Sequence, residues 1–459
     1  MALAFFPRGG SAHVARNLAR ALPGAGWSVT VASGSLDRPG EPGDARAFYS
    51  GVHVRPVDMT AALTAPDPMR TDPPLHPSYE DRPGAADRVF ASLDDADFER
   101  QVAAWERALR DAGAARADVL HLHHLTPIHE AAGRVAPGTP VVGHLHGTEL
   151  LMLEAIERDP GRWPHARAWA ERMRRWAGGC RALIMISASQ VERAHGLLGV
   201  DAARCVHVPN GFDPATFAPR HVDRVAHWRR HLVDEPRGWG PDGGRVAYAD
   251  ADLAAFGGDA PVLLYVGRYT EVKRIPLLVA AYAQARPRLA RRAPLVLVGG
   301  FPGEWEGEHP LDAVRRLAVP DVFLAGWHEH AELPDFLAAS DVVVLPSVRE
   351  QFGQVLVEGM ACGLPAIAVD AHGPAEIVRP GETGWLVPPD DAAALAAALM
   401  EAVNDPAERR RRGDRASADA QARFAWPGLA RRVAAIYAAA RNDVASDPPA
   451  DAVIAATDA

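Results

Sequence analysis

The sequence has little cysteine: only Cys180, Cys205 and Cys362 occur among its 459 residues. They lie far apart and form no CxxC pair, so the sequence predicts neither a disulfide framework nor a zinc knuckle. No apolar run approaches the roughly 20 residues that span a bilayer, and the first residues lack the basic start and long apolar run of a signal peptide. We therefore expect a soluble, cytoplasmic protein, and leave open a peripheral position at the inner face of the membrane.

Positive charge is also not in excess, because 49 basic side chains stand against 58 acidic ones, a formal net charge of −9. This balance gives no reason to expect nucleic acid as a partner. The length is sufficient for two domains that each bury their own core.

Strand-like and helix-like segments alternate through both halves of the chain. The first half begins with a short strand, a Gly9-Gly10 turn, an amphipathic helix and a second strand, and the second half repeats this alternation from Pro261 onward. Such alternation is typical of doubly wound parallel sheets. The sequence therefore predicts an α/β protein with two Rossmann-like domains that face each other across a cleft.

The most informative stretch, 340–370, reads as strand, loop, helix, strand. Glu350 lies on the loop and Glu358 lies in the helix that follows. The free N–H groups and the dipole at a helix N-terminus form a natural anion site. Two carboxylates beside such a site predict a ligand that has both phosphates and sugar hydroxyls.

Two other strand exits could contribute to that site. The strand 261–266 is followed by Gly267, Arg268 and Lys273, and these cations before a helix could clamp an anion. The Gly9-Gly10 turn would let a ligand approach the backbone closely, although a tight strand-to-helix turn alone would also explain it.

Histidines are concentrated at two predicted strands in the first half: His121, His123, His124, His129, His144 and His146. HxH pairs ligate metal ions in some hydrolases, but the aspartates and histidines that complete such a set are not evident downstream. No DxD follows a clean apolar strand either. Most of these histidines are therefore interpreted as strand-end or satisfied polar residues. His146 is singled out because ligands bind at the carboxyl edge of such sheets.

Several short segments form a recognisable series along the chain: Gly9-Gly10, 118–121, His146-Gly147, 208–213 (VPNGFD), Gly267-Arg268 with Lys273, Glu350 and Glu358 (E-x7-E), Gly373-Pro374 with Glu376, 381–384 and 424–437. In this order they resemble the motifs of retaining glycosyltransferases of family 4, which have the GT-B fold. The resemblance covers most of the chain, apart from 60–96 and 219–260.

Composition and the resemblance together predict five segments: composition sets the linker and the tail, and the resemblance implies the two domains and the crossing helix. These are an acceptor-side domain at 1–213, a linker and insertion at 214–260, a nucleotide-sugar-binding domain at 261–424, a helix at 425–441 that crosses back to the first domain, and a disordered tail at 442–459.

The resemblance also implies roles for individual residues. Arg268 and Lys273 would neutralise the donor diphosphate, Glu358 would bind the ribose, and Glu350 would bind the transferred sugar. His146 would lie beside the anomeric carbon or the acceptor hydroxyl. Further donor contacts would come from Gly10 of the other domain, from Trp327 (with His328) beside the base, and from the backbone of Phe352, Gly353, Gln354, Val355 and Leu356.

The implied function is retaining transfer of a hexose from a UDP-, GDP- or ADP-type nucleotide sugar to an acceptor hydroxyl, with no metal and no cofactor. The acceptor could be a small molecule, a glycan or a lipid-linked compound. Two alternatives stay open: a nucleotide-sugar epimerase or hydrolase on the same fold, and a non-catalytic nucleotide-sugar-binding protein.

Overall fold

The computed structural model describes residues 1–7, 9–38, 43–81, 86–301, 303 and 305–442. All of the predicted tail beyond residue 442, and Arg8 of the first turn, lie outside the described residues. The chain divides into two compact units. Unit 1 joins Met1–Asn210 to the helix that begins at Trp426, and unit 2 is Gly211–Ala425.

Unit 1 is built on a seven-stranded sheet in which all neighbouring strands are parallel. Its strands, in the spatial order β3-β2-β1-β4-β5-β6-β7, are β1 (Ala2–Leu3), β2 (Thr30–Ser35), β3 (His53–Asp58), β4 (Leu120–His123), β5 (Val141–Leu145), β6 (Ala182–Met185) and β7 (Cys205–His207). Its helices are α1 (Gly10–Ala21), α2 (Ala45–Phe48), α3 (Asp95–Asp111), α4 (Ile128–Val135), α5 (Thr148–Arg158), α6 (Ala166–Gly179), α7 (Ser189–Leu198) and α16 (Trp426–Arg441).

Unit 2 is built on a six-stranded parallel sheet. Its strands, in the order β12-β11-β10-β13-β14-β15, are β10 (Leu263–Val266), β11 (Leu295–Val298), β12 (Val322–Gly326), β13 (Val342–Leu345), β14 (Ala366–Val369) and β15 (Gly384–Val387). A separate hairpin pairs β8 (Gly238–Trp239) with β9 (Arg245–Val246). The helices are α8 (Arg224–Arg229), α9 (Ile275–Ala285), α10 (Pro310–Leu317), α11 (Leu333–Ala338), α12 (Gln354–Ala361), α13 (His372–Ile377), α14 (Ala392–Asn404) and α15 (Pro406–Phe424). The two predicted Rossmann-like domains are confirmed.

The last helix, α16, completes the core of unit 1. Leu429, Val433 and Tyr437 are buried in one apolar cluster with Val14 and Leu18 of α1. Apolar residues spaced three and four apart place one stripe of α16 on the sheet. None of the described helices is both long and apolar enough to cross a bilayer.

The stretch predicted as a linker and insertion, 214–260, is instead a packed part of unit 2. Trp228, Leu232 and Phe256 are almost fully buried, and the Trp228 indole donates to the Ala339 carbonyl at 3.3 Å. Isolated aromatic anchors among arginine, histidine and aspartate leave no regular apolar period, so the sequence pattern did not reveal this packing.

The irregular stretch 60–96 likewise contributes to a core, although the sequence gives it no period. Its described part contains three short 3₁₀ helices, and Met69, Leu75, Tyr79 and Phe90 are buried in unit 1. The Tyr79 hydroxyl donates to the Leu125 carbonyl at 2.6 Å.

Candidate functional site

Two loops of unit 2 meet at the carboxyl edge of its sheet. The strands β10 and β13 are neighbours in the sheet, so the loops that follow them leave side by side. The amide of Val348 donates to the Val272 carbonyl at 3.0 Å, and the Ser347 hydroxyl donates to the same oxygen at 3.2 Å. This contact holds the segment that carries Lys273 against the segment that carries Glu350.

Lys273 and Glu350 form an ion pair at this edge. Their side chains are 21% and 18% exposed, so the pair is partly shielded from water and can still be reached by a ligand. Lys273 is the only lysine in the chain. The structure thus brings together two of the residues that the sequence selects for the donor site.

Arg268 lies on the same loop after β10, and its side chain is exposed. The buried Tyr265 hydroxyl donates to the Arg268 carbonyl at 2.9 Å, which fixes the backbone there. Among the described residues the Arg268 guanidinium has no ion-pair partner. It therefore remains available for an anion at this edge.

The N-terminus of α12 is the third component of the site. Gly353 precedes the helix in the left-handed region, with φ +107°, and no side chain caps the helix. The Leu356 amide, predicted as a donor contact, already donates to the Gly353 carbonyl at 2.9 Å. The amides of Gln354 and Val355 are thus the ones left for another acceptor. The turn before them is fixed, because Gly373 donates to the Glu350 carbonyl at 3.3 Å, and a Cβ at Gly373 would lie 2.2 Å from the Phe352 oxygen.

Glu358 lies one helical turn further and is almost completely buried. Its Oε1 is 2.8 Å from His330 Nε2 and accepts from Gln354 Nε2 at 3.1 Å. The same Gln354 amide donates to the Gly211 carbonyl at 2.9 Å. Glu358 Oε2 has no partner among the described residues and is the oxygen that a ligand hydroxyl could reach.

His330 and the side-chain role of Gln354 were not predicted from the sequence. Both hold the Glu358 carboxylate in place. His330 follows β12, and its position in a loop at the carboxyl edge of the sheet was the available signal.

Trp327 lies after β12 and is 41% exposed. Phe301, which follows β11, is 47% exposed, and its ring meets Trp327 edge-on at 5.8 Å. An exposed aromatic pair is suited to stacking a planar group. Phe301 was not predicted.

The expectation that His328 flanks a base is wrong for this structure. Its side chain is fully buried, packs on Phe336, and contacts the Ala325 carbonyl at 3.2 Å. Burial lowers the pKa of His328. This histidine is a core residue.

The two predicted residues of unit 1 lie at the carboxyl edge of that unit's sheet. Gly10 is the first residue of α1, and apart from its chain neighbours and its own helix no described atom lies within 4 Å of where a Cβ would sit at Gly9 or Gly10. The fold around the described residues thus does not demand glycine here, which is consistent with space kept for a ligand.

His146 directly follows β5. Its Nε2 is 3.0 Å from His123 Nδ1, and its amide donates to the Glu149 carboxylate at 3.2 Å. Burial, and then neighbouring histidines, hold the pKa of His146 well below its usual range. His146 is therefore neutral at neutral pH and could act as a hydrogen-bond partner. The roles of His146 and Gly10 stay predictions.

Comparison with known proteins supports the class of protein that the sequence motifs resemble, the glycosyltransferases. A family model described as "Glycosyltransferase Family 4" matches residues 8–216, and one described as "Glycosyl transferases group 1" matches 253–419. The D-inositol 3-phosphate glycosyltransferase of Kineococcus radiotolerans is 36% identical over 270 residues, covering 56% of each chain. The enzyme of the same name from Stackebrandtia nassauensis is 30% identical over 364 residues, covering 76% of this chain and 75% of its own.

Solved structures share the fold. A sucrose-phosphate synthase from Thermosynechococcus elongatus aligns with a TM-score of 0.65 at 23% identity, covering 95% of this chain and 98% of its own. Anabaena HepE in complex with UDP-glucose aligns with a TM-score of 0.62 at 19% identity, covering 96% and 100%.

Two Rossmann-like units with these matches define a glycosyltransferase of the GT-B fold. Within that class, the chain belongs to glycosyltransferase family 4.

Proposed function

We propose that this glycosyltransferase transfers a hexose from a nucleoside-diphosphate sugar to an acceptor hydroxyl with retention of the anomeric configuration. The observation that carries the proposal is the Lys273–Glu350 pair beside the uncapped N-terminus of α12. Cations, free amides and a carboxylate at one edge suit a ligand that carries phosphates next to sugar hydroxyls.

Lys273, Arg268 and the first amides of α12 bind the diphosphate. They neutralise the negative charge that grows on the leaving phosphate as the glycosidic bond breaks. Three kinds of donor already serve this purpose, so the proposal assigns no divalent cation to the step.

Glu350 and Glu358 bind hydroxyl groups. When the phosphate takes Lys273 as its partner, Glu350 is released to accept from hydroxyls of the transferred sugar. Glu358 Oε2 accepts from the ribose, while His330 and Gln354 keep Oε1 in place. The exposed Trp327 and Phe301 stack on the nucleobase.

In the proposed complex both carboxylates accept hydrogen bonds from hydroxyl groups, so the proposed reaction uses no protein nucleophile. In the proposed step the bond from the anomeric carbon to the diphosphate oxygen breaks, and a bond to the acceptor oxygen forms on the same face. The acceptor proton passes to the departing phosphate. Catalysis then rests on positioning and on stabilisation of the leaving group.

UDP-glucose is the first donor to test, because the structural neighbour HepE was solved with it. A thermal-shift and calorimetric screen of UDP, GDP, ADP and their glucose conjugates identifies the donor. Transfer is then assayed with D-inositol 3-phosphate, the acceptor in the name of the relatives, and with simple sugars and lipid-linked acceptors. NMR of the product reports the anomeric configuration.

We expect tight binding of one nucleotide series and acceptor-dependent release of the diphosphate, without stimulation by Mg²⁺ or Mn²⁺. Release without any acceptor product would instead indicate a hydrolase. Nucleotide binding without turnover across the panel would favour a non-catalytic binding protein. An inverted product would refute the proposed stereochemistry.

A further inference from the structure

A group of histidines in unit 1 is not explained by donor binding. His121 and His123 are two residues apart on β4, and His146, which directly follows β5, is two residues from His144 on that strand. Each pair therefore lies on one face of the sheet. His123 is in register with His144 on the adjacent strand. All four rings, here called the histidine cluster, therefore stack on the same face, with neighbouring centroids 4.6–5.2 Å apart.

The cluster is incompletely hydrogen-bonded. His121 Nδ1 contacts the Tyr437 hydroxyl of α16, and His121 Nε2 lies 3.1 Å from His144 Nδ1. His123 Nδ1 contacts His146. The Nε2 atoms of His123 and His144 are buried and have no partner among the described residues. Leaving a buried polar atom unpaired costs about 1–3 kcal/mol, so these nitrogens require an explanation.

Three of the four histidines converge on a small volume. One ring nitrogen each of His121, His123 and His144 lie within 4.8 Å of one another. A tetrahedral zinc ion with bonds of about 2.1 Å separates its nitrogens by roughly 3.4 Å. The rings are near-parallel, with interplanar angles of 13–28°. Ligation therefore requires the rings to turn toward a common point and the contact between His121 and His144 to open.

The environment of the rings suits a metal ion. His121, His123 and His144 are all buried, and neutral imidazole is the form that ligates metals. A carboxylate, Glu149, lies on the nearby helix α5 and pairs with His124 at 2.6 Å.

We propose that His121, His123 and His144 bind one divalent transition-metal ion, with Zn²⁺ as the preferred ion. Neutral imidazole nitrogens favour zinc, cobalt, nickel and copper over magnesium and calcium, which prefer oxygen. Tyr437 orients His121 from behind, as residues outside the ligand sphere commonly do. The ion links the neighbouring strands β4 and β5, so its effect is on the stability of unit 1.

The proposed site borders a cavity on one side. This cavity, of about 310 Å³, lies in unit 1 and is lined by residues that include His121, Leu122 and Tyr437. A metal at these HxH pairs was not expected from the sequence, because no further acidic or histidine set follows them. The third ligand instead comes from the neighbouring strand, and strand order is not evident in the sequence.

The test uses the full-length, untagged protein after removal of metals with a chelator. Co²⁺ is titrated in, and the visible absorption of tetrahedral Co²⁺ is recorded, with stoichiometry checked by elemental analysis after Zn²⁺ reloading. His123→Asn and His144→Asn each remove one ligand. His129→Asn is the matched control, because His129 is also buried with an unpaired Nε2 but lies outside the cluster.

We expect one equivalent of tightly bound metal in the unmodified protein and a rise in its Tm on Zn²⁺ addition. Each ligand variant should bind more than about 100-fold more weakly, since even changes outside the ligand sphere cost 10–100-fold, while His129→Asn binds normally. Circular dichroism confirms that the variants fold. Failure of the unmodified protein to bind Co²⁺ or Zn²⁺ stoichiometrically overturns the proposal, as does equal binding by folded ligand variants.

Discussion

Replacing the single lysine is the sharpest test of the donor site. Lys273→Met keeps the apolar stem and removes the ammonium group that pairs with Glu350. In the proposed complex that ammonium binds the diphosphate. The variant should therefore bind nucleoside diphosphate more weakly while remaining folded.

The magnitude follows from two opposing terms. A hydrogen bond to a charged group contributes about 1.5–3 kcal/mol. Against this, the lysine must first leave Glu350, and a partly exposed ion pair contributes up to about 1 kcal/mol. The net loss is about 0.5–3 kcal/mol, or roughly 2- to 150-fold in Kd.

The assay is calorimetric titration with UDP. Glu350→Gln is the reciprocal variant, because it frees Lys273 and should leave UDP affinity unchanged or raise it by up to about fivefold. Arg274→Met is the matched control: Arg274 is the next residue, and Asp390 holds its guanidinium at 2.6 Å. The chain has no other lysine, so the rate at which a chemical reagent acetylates Lys273 can be followed on its own. A lower rate when UDP is present gives a second measure of binding.

Three outcomes would refute the reasoning. Lys273→Met could bind UDP within twofold of the unmodified protein. Arg274→Met could lose as much affinity as Lys273→Met. Glu350→Gln could weaken UDP binding equally, which would indicate general damage to the loop.

Four further outcomes are expected. Glu358→Gln should weaken binding of the nucleotide sugar by about 10- to 100-fold in calorimetry with little change in Tm, and retained affinity would remove the ribose assignment. Gly299→Ala should destabilise the fold by about 2 kcal/mol or more in thermal unfolding, because Gly299 has φ +131° and a Cβ there would lie 1.9 Å from the Gly267 carbonyl oxygen. Gly196 has open space around it, so Gly196→Ala should be neutral or stabilising. Burial lowers the pKa of His129 to about 4, so the unfolded chain takes up a proton at this residue before the folded chain does. The free energy of unfolding should therefore fall as the pH drops from about 6.5 to 4, by up to about 1.4 kcal/mol per pH unit. His129→Asn should reduce that slope in denaturant titrations. Leu429→Ala should cost about 2–5 kcal/mol of unit 1 stability, measured by denaturant unfolding.

Much of the fold could be predicted because its signals are local. Apolar runs bounded by turn residues marked β10, β13 and β14, and the spacing of Glu350 and Glu358 placed one on a loop and one in α12. The pairing of Lys273 with Glu350, by contrast, could not be predicted from local signals. It depends on β10 and β13 being neighbours, although two other strands separate them in the chain.

Other parts of the site could not be read because they depend on side-chain packing. His328 and His330 look equivalent in the sequence, yet one is buried in the core and the other contacts Glu358. Gln354 was selected for its backbone only, and its side chain proves to link Glu358 to Gly211. The position and contacts of each of these side chains depend on residues that are distant in the sequence.

The position of α16 has a consequence for synthesis of the protein. The first 210 residues of unit 1 are made first, yet their core lacks Leu429 and Val433 until α16 leaves the ribosome. At typical elongation rates the intervening unit 2 takes roughly 10–40 s to make. Unit 2 is continuous, and its two ends are joined where the Phe212 amide donates to the Phe424 carbonyl at 3.0 Å. The second unit can thus complete its fold before the first, and the nascent chain carries an exposed apolar face that chaperones can bind until α16 arrives.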